Sequence, residues 1–345
     1  MTSGTTLEKE EIERIFLGFA IEAEKQLLEN IYEPKQRVIV LAGPTAAGKS
    51  EFAVDLAKKI GGEIISADSM QVYRGMDIGT AKITPTEIDS VPHYLIDIRD
   101  VKDTFNVVDF YYEARHCCKQ ILSRNRVPII VGGTGFYIHS VIYGPPSGPP
   151  SVPELRKYLE DELAEIGIEA MFDKLKDLDP EYAASITKND KQKVVRALEI
   201  LRLTGEKVSS LSWKDRRQPQ NYDFRCWFLN RPKELLYERI NKRCDNMVAK
   251  GFLDEVRRMD KEGIRENSSA AQAIGYRQAL DFLDTEQTKA DFDFFLEKFK
   301  KASRHYAKRQ FTWFRREKAF RWLDLELHDY EVAMEMVIQD YNQTS

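Results

Sequence analysis

Short runs of consecutive apolar residues alternate with helical patterns over the first third of the chain. Residues 37–42, 63–66 and 127–131 are rich in β-branched side chains and carry few polar positions. Such uninterrupted apolar runs are typical of parallel strands that are buried on both faces. Because segments with helical periodicity separate them, we predict a parallel sheet with crossover helices, which is an α/β fold.

Further along the chain the pattern changes twice. Residues 144–153 (GPPSGPPSVP) contain five prolines and two glycines in ten positions, a composition that marks a boundary between modules. Residues 153–213 then have an almost wholly helical pattern. Residues 226–230 return to strand character, and long helices follow through about Arg316. These changes predict an α/β core that is interrupted by a helical insertion and then resumes.

An amphipathic helix is also predicted at residues 5–31, where apolar side chains recur near helical spacing. We expect it to pack on the core as an extension. The predicted organisation has five parts. They are an N-terminal helical extension at 1–36, the core at 37–146, the insertion at 147–222, the resumed core at 223–330 and a C-terminal tail at 331–345.

The composition narrows the class of protein. The 345 residues carry a formal net charge of −4, so any nucleic-acid surface must be a local basic patch. The four cysteines form no C-x-x-C pair and have no zinc-finger spacing, which suits a reducing compartment. The sequence contains neither a run of about 18 apolar residues nor a signal or transit pattern. We expect a cytoplasmic monomer that does not associate with membranes.

Residues 43–50 (GPTAAGKS) match the phosphate-loop pattern G-x-x-x-x-G-K-S/T between a predicted strand and a predicted helix. Its glycines let backbone N–H groups turn toward phosphate oxygens, and the helix N-terminus adds positive charge. Lys49 supplies a cation and Ser50 is a candidate Mg²⁺ ligand. The expected diphosphate-binding residues are Gly43, Pro44, Thr45, Ala46, Ala47, Gly48, Lys49 and Ser50.

Most such loops bind ATP or GTP, so a P-loop kinase or NTPase is the default expectation. A Walker-B acid normally ends a later apolar strand. The strand at 127–131 instead runs into Gly132, Gly133 and Thr134, without a carboxylate. The second strand leads to Asp68. Because parallel strands end at one edge of a sheet, we expect the phosphate loop, Asp68 and Thr134 to converge there.

Asp68 and Thr134 each have a purely structural explanation as well as a chemical one. Asp68 is a candidate general base or an outer ligand of Mg²⁺, whereas an isolated Asp more often caps a turn or helix. Thr134 between glycines offers a hydroxyl and a backbone N–H to a phosphate, or simply forms a tight turn.

Six segments, in the same order along the chain, resemble the tRNA dimethylallyltransferase (tRNA isopentenyltransferase) family. They are GPTAAGKS at 43–50, ADSMQVYRGMDIGTAK at 67–82, VGGTGFY at 131–137, NDKQKVVRALEI at 189–200, AIGYRQ at 273–278 and YAKRQFTWFR at 306–315. The resemblance covers roughly residues 37–325. It implies that the phosphate loop binds dimethylallyl diphosphate with Mg²⁺. The prenyl group is then transferred to the exocyclic amine of the adenosine immediately 3′ of the anticodon.

The resemblance also implies roles for single residues. Asp68 would be the base for the attacking amine, and Gln71 would recognise the edge of the target adenine. Thr134 would contact the diphosphate or its bridging oxygen, and Lys49 would stabilise the leaving group. The chemistry of the residues agrees with this, because prenyl transfer needs cations and N–H donors around a diphosphate.

Residues 301–316 contain six Lys or Arg, no acid and interleaved aromatics. On a helix, Ala307, Phe311 and Phe314 share one face, which is predicted to pack inward, and the basic face is predicted to follow RNA phosphates. A solvated basic helix is the alternative, but the aromatics and the resemblance favour RNA.

Other tRNA contacts follow from the resemblance. Lys193 stands where the family usually has Arg, so it keeps the charge but loses the bidentate fork. Gly275 would allow close approach to the anticodon loop. The expected tRNA-contacting residues are Asp68, Ser69, Met70, Gln71, Thr134, Arg156, Gln192, Lys193, Arg196, Ala273, Gly275, Tyr276, Arg277, Lys308, Arg309, Gln310, Thr312, Trp313 and Arg315.

Three alternatives stay open at this point. An adenylate isopentenyltransferase shares the phosphate loop and the aspartate, but has little use for a helical insertion and a basic aromatic helix. A P-loop small-molecule kinase lacks support because no Walker-B acid is found. A non-enzymatic RNA-binding protein would not need Lys49, Ser50 and Asp68 together.

Overall fold

Six parallel strands form a single sheet in the computed structural model, which describes residues 36–84, 91–146, 148–211 and 222–343. The helix predicted at 5–31 lies outside the described residues. The strand order across the sheet is β3-β2-β4-β1-β5-β6. The strands are β1 (Gln36–Ala42), β2 (Gly62–Ala67), β3 (His93–Tyr94), β4 (Val127–Gly132), β5 (Tyr222–Asn230) and β6 (Arg321–Asp324).

Twelve α-helices lie in these described ranges, together with the short 3₁₀ helices Val208–Ser210 and Ile264–Glu266. They are α1 (Lys49–Ile60), α2 (Val107–Ser123), α3 (Gly135–Tyr143), α4 (Pro153–Leu178), α5 (Pro180–Ser185), α6 (Lys191–Thr204), α7 (Lys233–Ala249), α8 (Phe252–Lys261), α9 (Ser268–Ala271), α10 (Tyr276–Leu283), α11 (Lys289–Phe314) and α12 (Tyr330–Asn342).

The central strand β1 is buried on both faces, as its apolar run predicts. Val38 and Val40 pack into one core, and Ile39 and Leu41 pack into the core on the other side. Helices α1 and α12 cover the second side, whereas α2, α3, α7, α8, α10 and α11 contribute to the first. The predicted α/β class with a parallel sheet is confirmed.

The expectation of a C-terminal tail at 331–345 is wrong for its described part. Helix α12 packs Ala333, Met334 and Val337 against the sheet, and all three are fully buried. The Tyr330 hydroxyl also donates a hydrogen bond to Asp55 of α1. The 3.6-residue spacing of these apolar side chains forms an inward stripe, which a segment this short shows only weakly in sequence.

The insertion is helical, as predicted, and has a core of its own. Leu159, Met171 and Leu175 of α4 pack against Val194 and Leu198 of α6. Helix α4 is interrupted at Gly167, whose φ of 81° and ψ of 166° are not helical. Strand β5 begins at Tyr222, the last residue of the predicted insertion, because residues 222–228 pair with the whole length of β1.

Strand register brings the predicted site residues to one edge of the sheet. Gly132 at the end of β4 is aligned with Ala42 of β1 and with Ala67 of β2. The chain therefore enters the phosphate loop, the Asp68 turn and the Gly133–Thr134 turn side by side. Among the described helices, none combines the length and the apolar character needed to cross a bilayer.

Candidate active site

The phosphate loop bends between β1 and α1 through two residues with left-handed backbone. Ala46 has φ of 64°, and Gly48, at the N-terminus of α1, has φ of 100°. The N–H groups of Gly48, Lys49 and Ser50 have no acceptor within the described parts of the chain. Unpaired N–H groups at a helix N-terminus form an anion-binding site.

Two arginines fix the outer side of this loop. The Nε of Arg239 donates to the Ala46 carbonyl and the Nε of Arg231 donates to the Ala47 carbonyl, both at 2.9 Å. Because these carbonyls are held by the two arginines, the N–H groups of Gly48, Lys49 and Ser50 that follow remain free to face a ligand. The loop is thus held in its anion-binding shape by neighbouring side chains.

The side chain of Lys49 lines the cavity next to the phosphate loop. Its Nζ donates to the Pro44 carbonyl at 2.7 Å. Burial and, to a smaller extent, the charge of nearby Arg243 lower the pKa of Lys49 to about 7, although Asp68 opposes the shift. A lysine that is so easily deprotonated stands in a region that lacks sufficient negative charge. A bound anion would supply that charge.

Arg243 of α7 lines the same cavity and was missed by the sequence analysis. Burial lowers the pKa of its guanidinium, while Asp68 raises it. Within the described chain it forms no hydrogen bond or salt bridge, so its five donors are available to a ligand. A signal was present in the sequence, since Arg239 and Arg243 lie one helical turn apart on the helix that follows β5.

Asp68 caps a turn and also lines the cavity. Its Oδ1 accepts hydrogen bonds from the N–H groups of Met70 at 2.8 Å and Gln71 at 3.3 Å, so it caps a turn. Its carboxylate also lines the cavity that contains Lys49 and Arg243. The other oxygen accepts no hydrogen bond from the described residues, which leaves it available as a base.

Thr134 differs in one respect from its expected role. Its backbone N–H donates to the Ala67 carbonyl at 3.3 Å, so that group is not available to a phosphate. The ladder at the end of β2 and β4 continues into the turn and uses this donor. The hydroxyl accepts a hydrogen bond from the Ser69 N–H at 3.2 Å.

Tyr306 and Gln310 of α11 enter the cavity one helical turn apart. Burial raises the pKa of Tyr306 to about 12, and Asp68 adds to the shift, so the phenol remains a donor at neutral pH. Gln310 is buried, in contrast to its basic neighbours on α11, and its contact with tRNA stays a prediction. Its Nε2 donates to the Gly133 carbonyl at 3.0 Å, and its Oε1 accepts from Thr45.

Gln71 lines the cavity with its amide already engaged. Its Oε1 accepts a hydrogen bond from the Ser66 hydroxyl at 2.9 Å. Its Nε2 donates to the Thr80 carbonyl at 3.3 Å. Ser66 and Thr80 therefore fix the orientation of the amide before any ligand arrives.

The cavity is lined by both polar and apolar residues. The polar lining residues include Thr45, Lys49, Ser50, Asp68, Arg243 and Tyr306. The apolar lining residues include Ala53, Ile64, Ile83, Ile96 and Val131. A polar anion site next to an apolar wall suits a ligand that has an anionic end and a hydrocarbon end.

Helix α11 divides its faces as the sequence predicts. Ala307 and Phe314 are buried, whereas the side chains on the opposite face are exposed. The exposed set comprises Lys308, Arg309, Thr312 and Arg315. Trp313 is 39% exposed and its ring lies 6.3 Å from that of Phe136.

In the insertion, Arg196 does not have the expected position. It forms a salt bridge with the buried Glu199 and donates to the Pro149 carbonyl, so it ties the proline-rich connection to α6. Gln192 and Lys193 are exposed, although Lys193 pairs with Asp190. Arg156 pairs with Glu160 one turn away in α4.

The AIGYRQ segment is also placed differently. Ala273 and Tyr276 are buried, and Gly275 lies where a β-carbon would approach Phe299 within 2.8 Å. These two side chains pack inside the resumed core, and their contact with tRNA stays a prediction. Arg277 alone in this group is exposed among the predicted contacts.

Comparison with known proteins gives consistent matches over most of the chain. The model of the family described as IPP transferase matches residues 71–317. A tRNA dimethylallyltransferase of Protochlamydia amoebophila (strain UWE25) is 63% identical over 341 residues, which is 99% of both chains. The enzyme of the same name from Chlamydia felis (strain Fe/C-56) is 48% identical, covering 89% of this chain and 90% of its own.

Comparison with solved structures gives similar matches. The full-length tRNA isopentenylpyrophosphate transferase from Bacillus halodurans is 40% identical with a TM-score of 0.65, covering 89% of this chain and 97% of its own. A eukaryotic dimethylallyltransferase acting on tRNA is 27% identical with a TM-score of 0.73, covering 87% of this chain and 77% of its own.

Proposed function

Since this chain belongs to the IPP transferase family, we propose that it is a tRNA dimethylallyltransferase. The reaction transfers the dimethylallyl group of dimethylallyl diphosphate to the exocyclic amine of the adenosine immediately 3′ of the anticodon. Its products are isopentenyladenosine in tRNA and diphosphate.

One observation carries this proposal beyond the family name. A single cavity contains an anion cradle, a carboxylate and an apolar wall. Lys49, Arg243 and the loop N–H groups suit a diphosphate, and Asp68 suits proton removal from an amine. A kinase would need a base and a metal-holding acid at the end of a later strand, but β4 ends in Gly132 without a carboxylate.

The chemistry follows from these positions. The amine nitrogen attacks C1 of the prenyl group, and the bond between C1 and the bridging oxygen breaks with its electron pair on the diphosphate. Lys49, Arg243 and the N–H groups of Gly48 and Ser50 stabilise the charge that develops there. Their preorganisation by Arg231 and Arg239 lowers the cost of reorganisation during the step.

Asp68 accepts the proton that the amine loses. Its position is fixed because Oδ1 is held by the Met70 and Gln71 N–H groups, while its second oxygen remains without a hydrogen-bond partner within the described chain. Tyr306 lines the cavity together with Asp68, and Thr134 lies in the turn that follows β4. We assign them to the bridging oxygen, where a phenol that remains protonated can donate.

Mg²⁺ is expected as the cofactor, and the residues present fit it. The Ser50 hydroxyl lines the cavity beside the free N–H groups, and Mg²⁺ commonly takes few protein ligands when a phosphate supplies the others. Ser50 would hold the ion against the diphosphate. The bound ion would add charge neutralisation to the leaving group.

Binding of tRNA is proposed to use the exposed basic face of α11 and the exposed residues of the insertion. Lys308, Arg309 and Arg315 suit contacts to phosphates of the anticodon stem-loop. Trp313, which is exposed on the same helix, suits stacking on an unpaired base. The target base must leave its stack to reach Asp68, as in other base-modifying enzymes.

One assay tests the reaction against its nearest alternative. The protein is incubated with labelled dimethylallyl diphosphate, Mg²⁺ and either unmodified tRNA or adenosine monophosphate. We expect label only in the tRNA, at the adenosine 3′ of the anticodon. Label that appears only in the monophosphate would identify an adenylate isopentenyltransferase instead, and label in neither would refute prenyl transfer.

A further inference from the structure

Three successive backbone N–H groups next to the active site converge on one buried carboxylate. The N–H groups of Asp77 and Ile78 donate to Oε2 of Glu255 at 3.0 and 2.7 Å. The N–H group of Gly79 donates to Oε1 at 3.0 Å. Such a row of N–H groups forms a nest for an anion. Here the chain fills the nest with its own carboxylate, 176 residues or more along the sequence.

A fourth hydrogen bond completes the environment of Glu255. The Tyr276 hydroxyl donates to Oε1 at 2.5 Å. Glu255 is 2% exposed and Tyr276 is fully buried. Burial also raises the pKa of Tyr276 well above its ordinary value, so the phenol remains a donor. A buried charge with four charge-assisted hydrogen bonds fixes the groups around it firmly.

We call residues 75–83 the wall loop, because Thr80, Ala81 and Ile83 line the active-site cavity. Its other side rests directly on helices α8 and α10. A β-carbon at Gly79 would lie 2.3 Å from the Phe252 ring and 2.5 Å from the Tyr276 ring. The loop can approach this closely because glycine has no side chain, and Glu255 then anchors it.

The wall loop connects this anchor to Gln71. The Thr80 carbonyl, one residue beyond the nest, accepts the hydrogen bond of the Gln71 amide nitrogen at 3.3 Å. The Gln71 oxygen accepts from Ser66. A continuous path of hydrogen bonds and backbone therefore runs from Tyr276 through Glu255 and the wall loop to the amide of Gln71.

We propose that Glu255 and Tyr276 are positioning residues for prenyl transfer, which hold the wall loop so that the Gln71 amide meets the target adenine in a fixed orientation. This inference rests on the proposed function and deepens it. It also gives the AIGYRQ segment a role: Tyr276 supports the site from behind and does not touch RNA.

The test compares single-turnover rates of prenyl transfer at saturating tRNA and dimethylallyl diphosphate. Glu255→Gln keeps the shape but replaces one acceptor oxygen by an NH₂ group that faces backbone N–H donors. We expect the rate constant to fall about tenfold or more, with the dissociation constant for tRNA changed less than about threefold. Tyr276→Phe removes one donor only and should slow transfer less.

A double-mutant cycle separates positioning from general stability. If Glu255 acts through Gln71, then adding Glu255→Gln to Gln71→Ala should slow transfer less than about twofold further. If the double variant instead slows transfer by the product of the two single effects, the inference is wrong. Unchanged rates in folded Glu255→Gln and Tyr276→Phe proteins would also overturn it. Lack of transfer by the wild-type protein would instead refute the proposed function.

Asp340→Asn is the matched control. Asp340 is another buried carboxylate, and it accepts hydrogen bonds from Trp227 and Arg321 on the α12 side of the sheet. Its replacement should lower the melting temperature while its effect on rate is independent of Gln71. A cycle in which Asp340→Asn couples to Gln71→Ala as strongly as Glu255→Gln does would refute a specific role of Glu255.

Discussion

The side-chain oxygen of Gln310 accepts a hydrogen bond from the backbone N–H of Thr45 at 2.9 Å, although 265 residues separate the two. The amide nitrogen of the same side chain donates to the Gly133 carbonyl. One buried glutamine thus joins the phosphate loop to the turn after β4. Because Lys308 and Arg309 precede it on the exposed face of α11, it also links the proposed RNA-binding helix to the diphosphate site.

Replacing this glutamine should therefore affect the diphosphate more than the RNA. In Gln310→Ala both hydrogen bonds are lost and a cavity forms beside the loop, so we expect KM for dimethylallyl diphosphate to rise about tenfold. The dissociation constant for tRNA should stay within about twofold at all salt concentrations. Steady-state kinetics and RNA binding measure the two. Gln339→Ala on the surface of α12 is the control, and an unchanged KM would contradict the bridging role.

Asp68→Asn is the sharpest test of the base. Asn keeps an oxygen that can accept from the Met70 and Gln71 N–H groups, so the turn should survive while the basic oxygen is lost. We expect the single-turnover rate of prenyl transfer to fall by about 10²–10⁴. Binding of tRNA and of dimethylallyl diphosphate should remain within about threefold of wild type. A variant that transfers at a near-normal rate would show that another group takes the proton.

The lowered pKa of Lys49 predicts that diphosphate binding depends on pH. Its pKa is about 7 in the folded protein and 10.5 when unperturbed, so between these values the folded state binds fewer protons than the unfolded state. The unfavourable contribution of its buried charge to stability accordingly falls as pH rises toward 10.5. A bound diphosphate restores the ammonium form, so binding takes up a proton above pH 7 and weakens as pH rises.

We expect affinity for dimethylallyl diphosphate to fall up to about tenfold per pH unit above pH 8, where the diphosphate is already ionised. Calorimetry in buffers of different ionisation enthalpy measures the proton uptake. Lys49→Met should remove both the proton uptake and the slope. Lys59→Met, on the exposed end of α1, should retain both, and a slope that persists in Lys49→Met would assign it to another group.

Most of the fold could be predicted because the core strands are uninterrupted apolar runs. Strands β1, β2, β4 and β5 each carry buried residues in succession, and that pattern is local. The edge strands β3 and β6 were not predicted, because two and four residues give no periodicity. Their pairing with β2 and β5 depends on the tertiary structure.

The site could be predicted where a motif placed chemistry directly after a strand, as with Lys49 and Asp68. The site could not be predicted for residues on helices that lie far away in the sequence. Arg243 and Tyr306 belong to ordinary amphipathic helices, and only the packing of α7 and α11 shows that they enter the cavity. The other property that the sequence did not show was which side chains are engaged within the protein. Arg196 and Tyr276 have side chains typical of RNA contacts, but both bond with other residues of the chain.

Arg243→Gln tests the residue that the sequence analysis missed. Glutamine keeps hydrogen-bonding capacity but removes a charge from the diphosphate site, so we expect affinity for dimethylallyl diphosphate to fall about tenfold to a hundredfold. The pKa of Lys49 should rise, since Arg243 lowers it, and the pH profile of binding should shift upward. Arg304→Gln is the control, because its guanidinium bonds Asn241. Unchanged affinity would exclude Arg243 from the diphosphate site.

The exposed basic face of α11 leads to a quantitative prediction of how tRNA binding depends on salt concentration. Each cation that contacts an RNA phosphate displaces condensed counterions, so removing one lowers the slope of log K against log salt by about 0.7–0.9. The double variant Arg309→Ala and Arg315→Ala should therefore weaken tRNA binding and reduce the slope by about 1.5. Dissociation constants measured across salt concentrations give the slope directly.

The matched control for this helix replaces Arg257 and Arg258 of α8, which are also exposed but pair with Asp254 and Glu262. That variant has the same change in net charge, so a general electrostatic effect on RNA would appear in both proteins. We expect the slope to remain at the wild-type value in the α8 variant. Equal slopes in the two variants would show that α11 has no special contact with RNA. The proposed docking of tRNA on that face would then be wrong, while the diphosphate site would be unaffected.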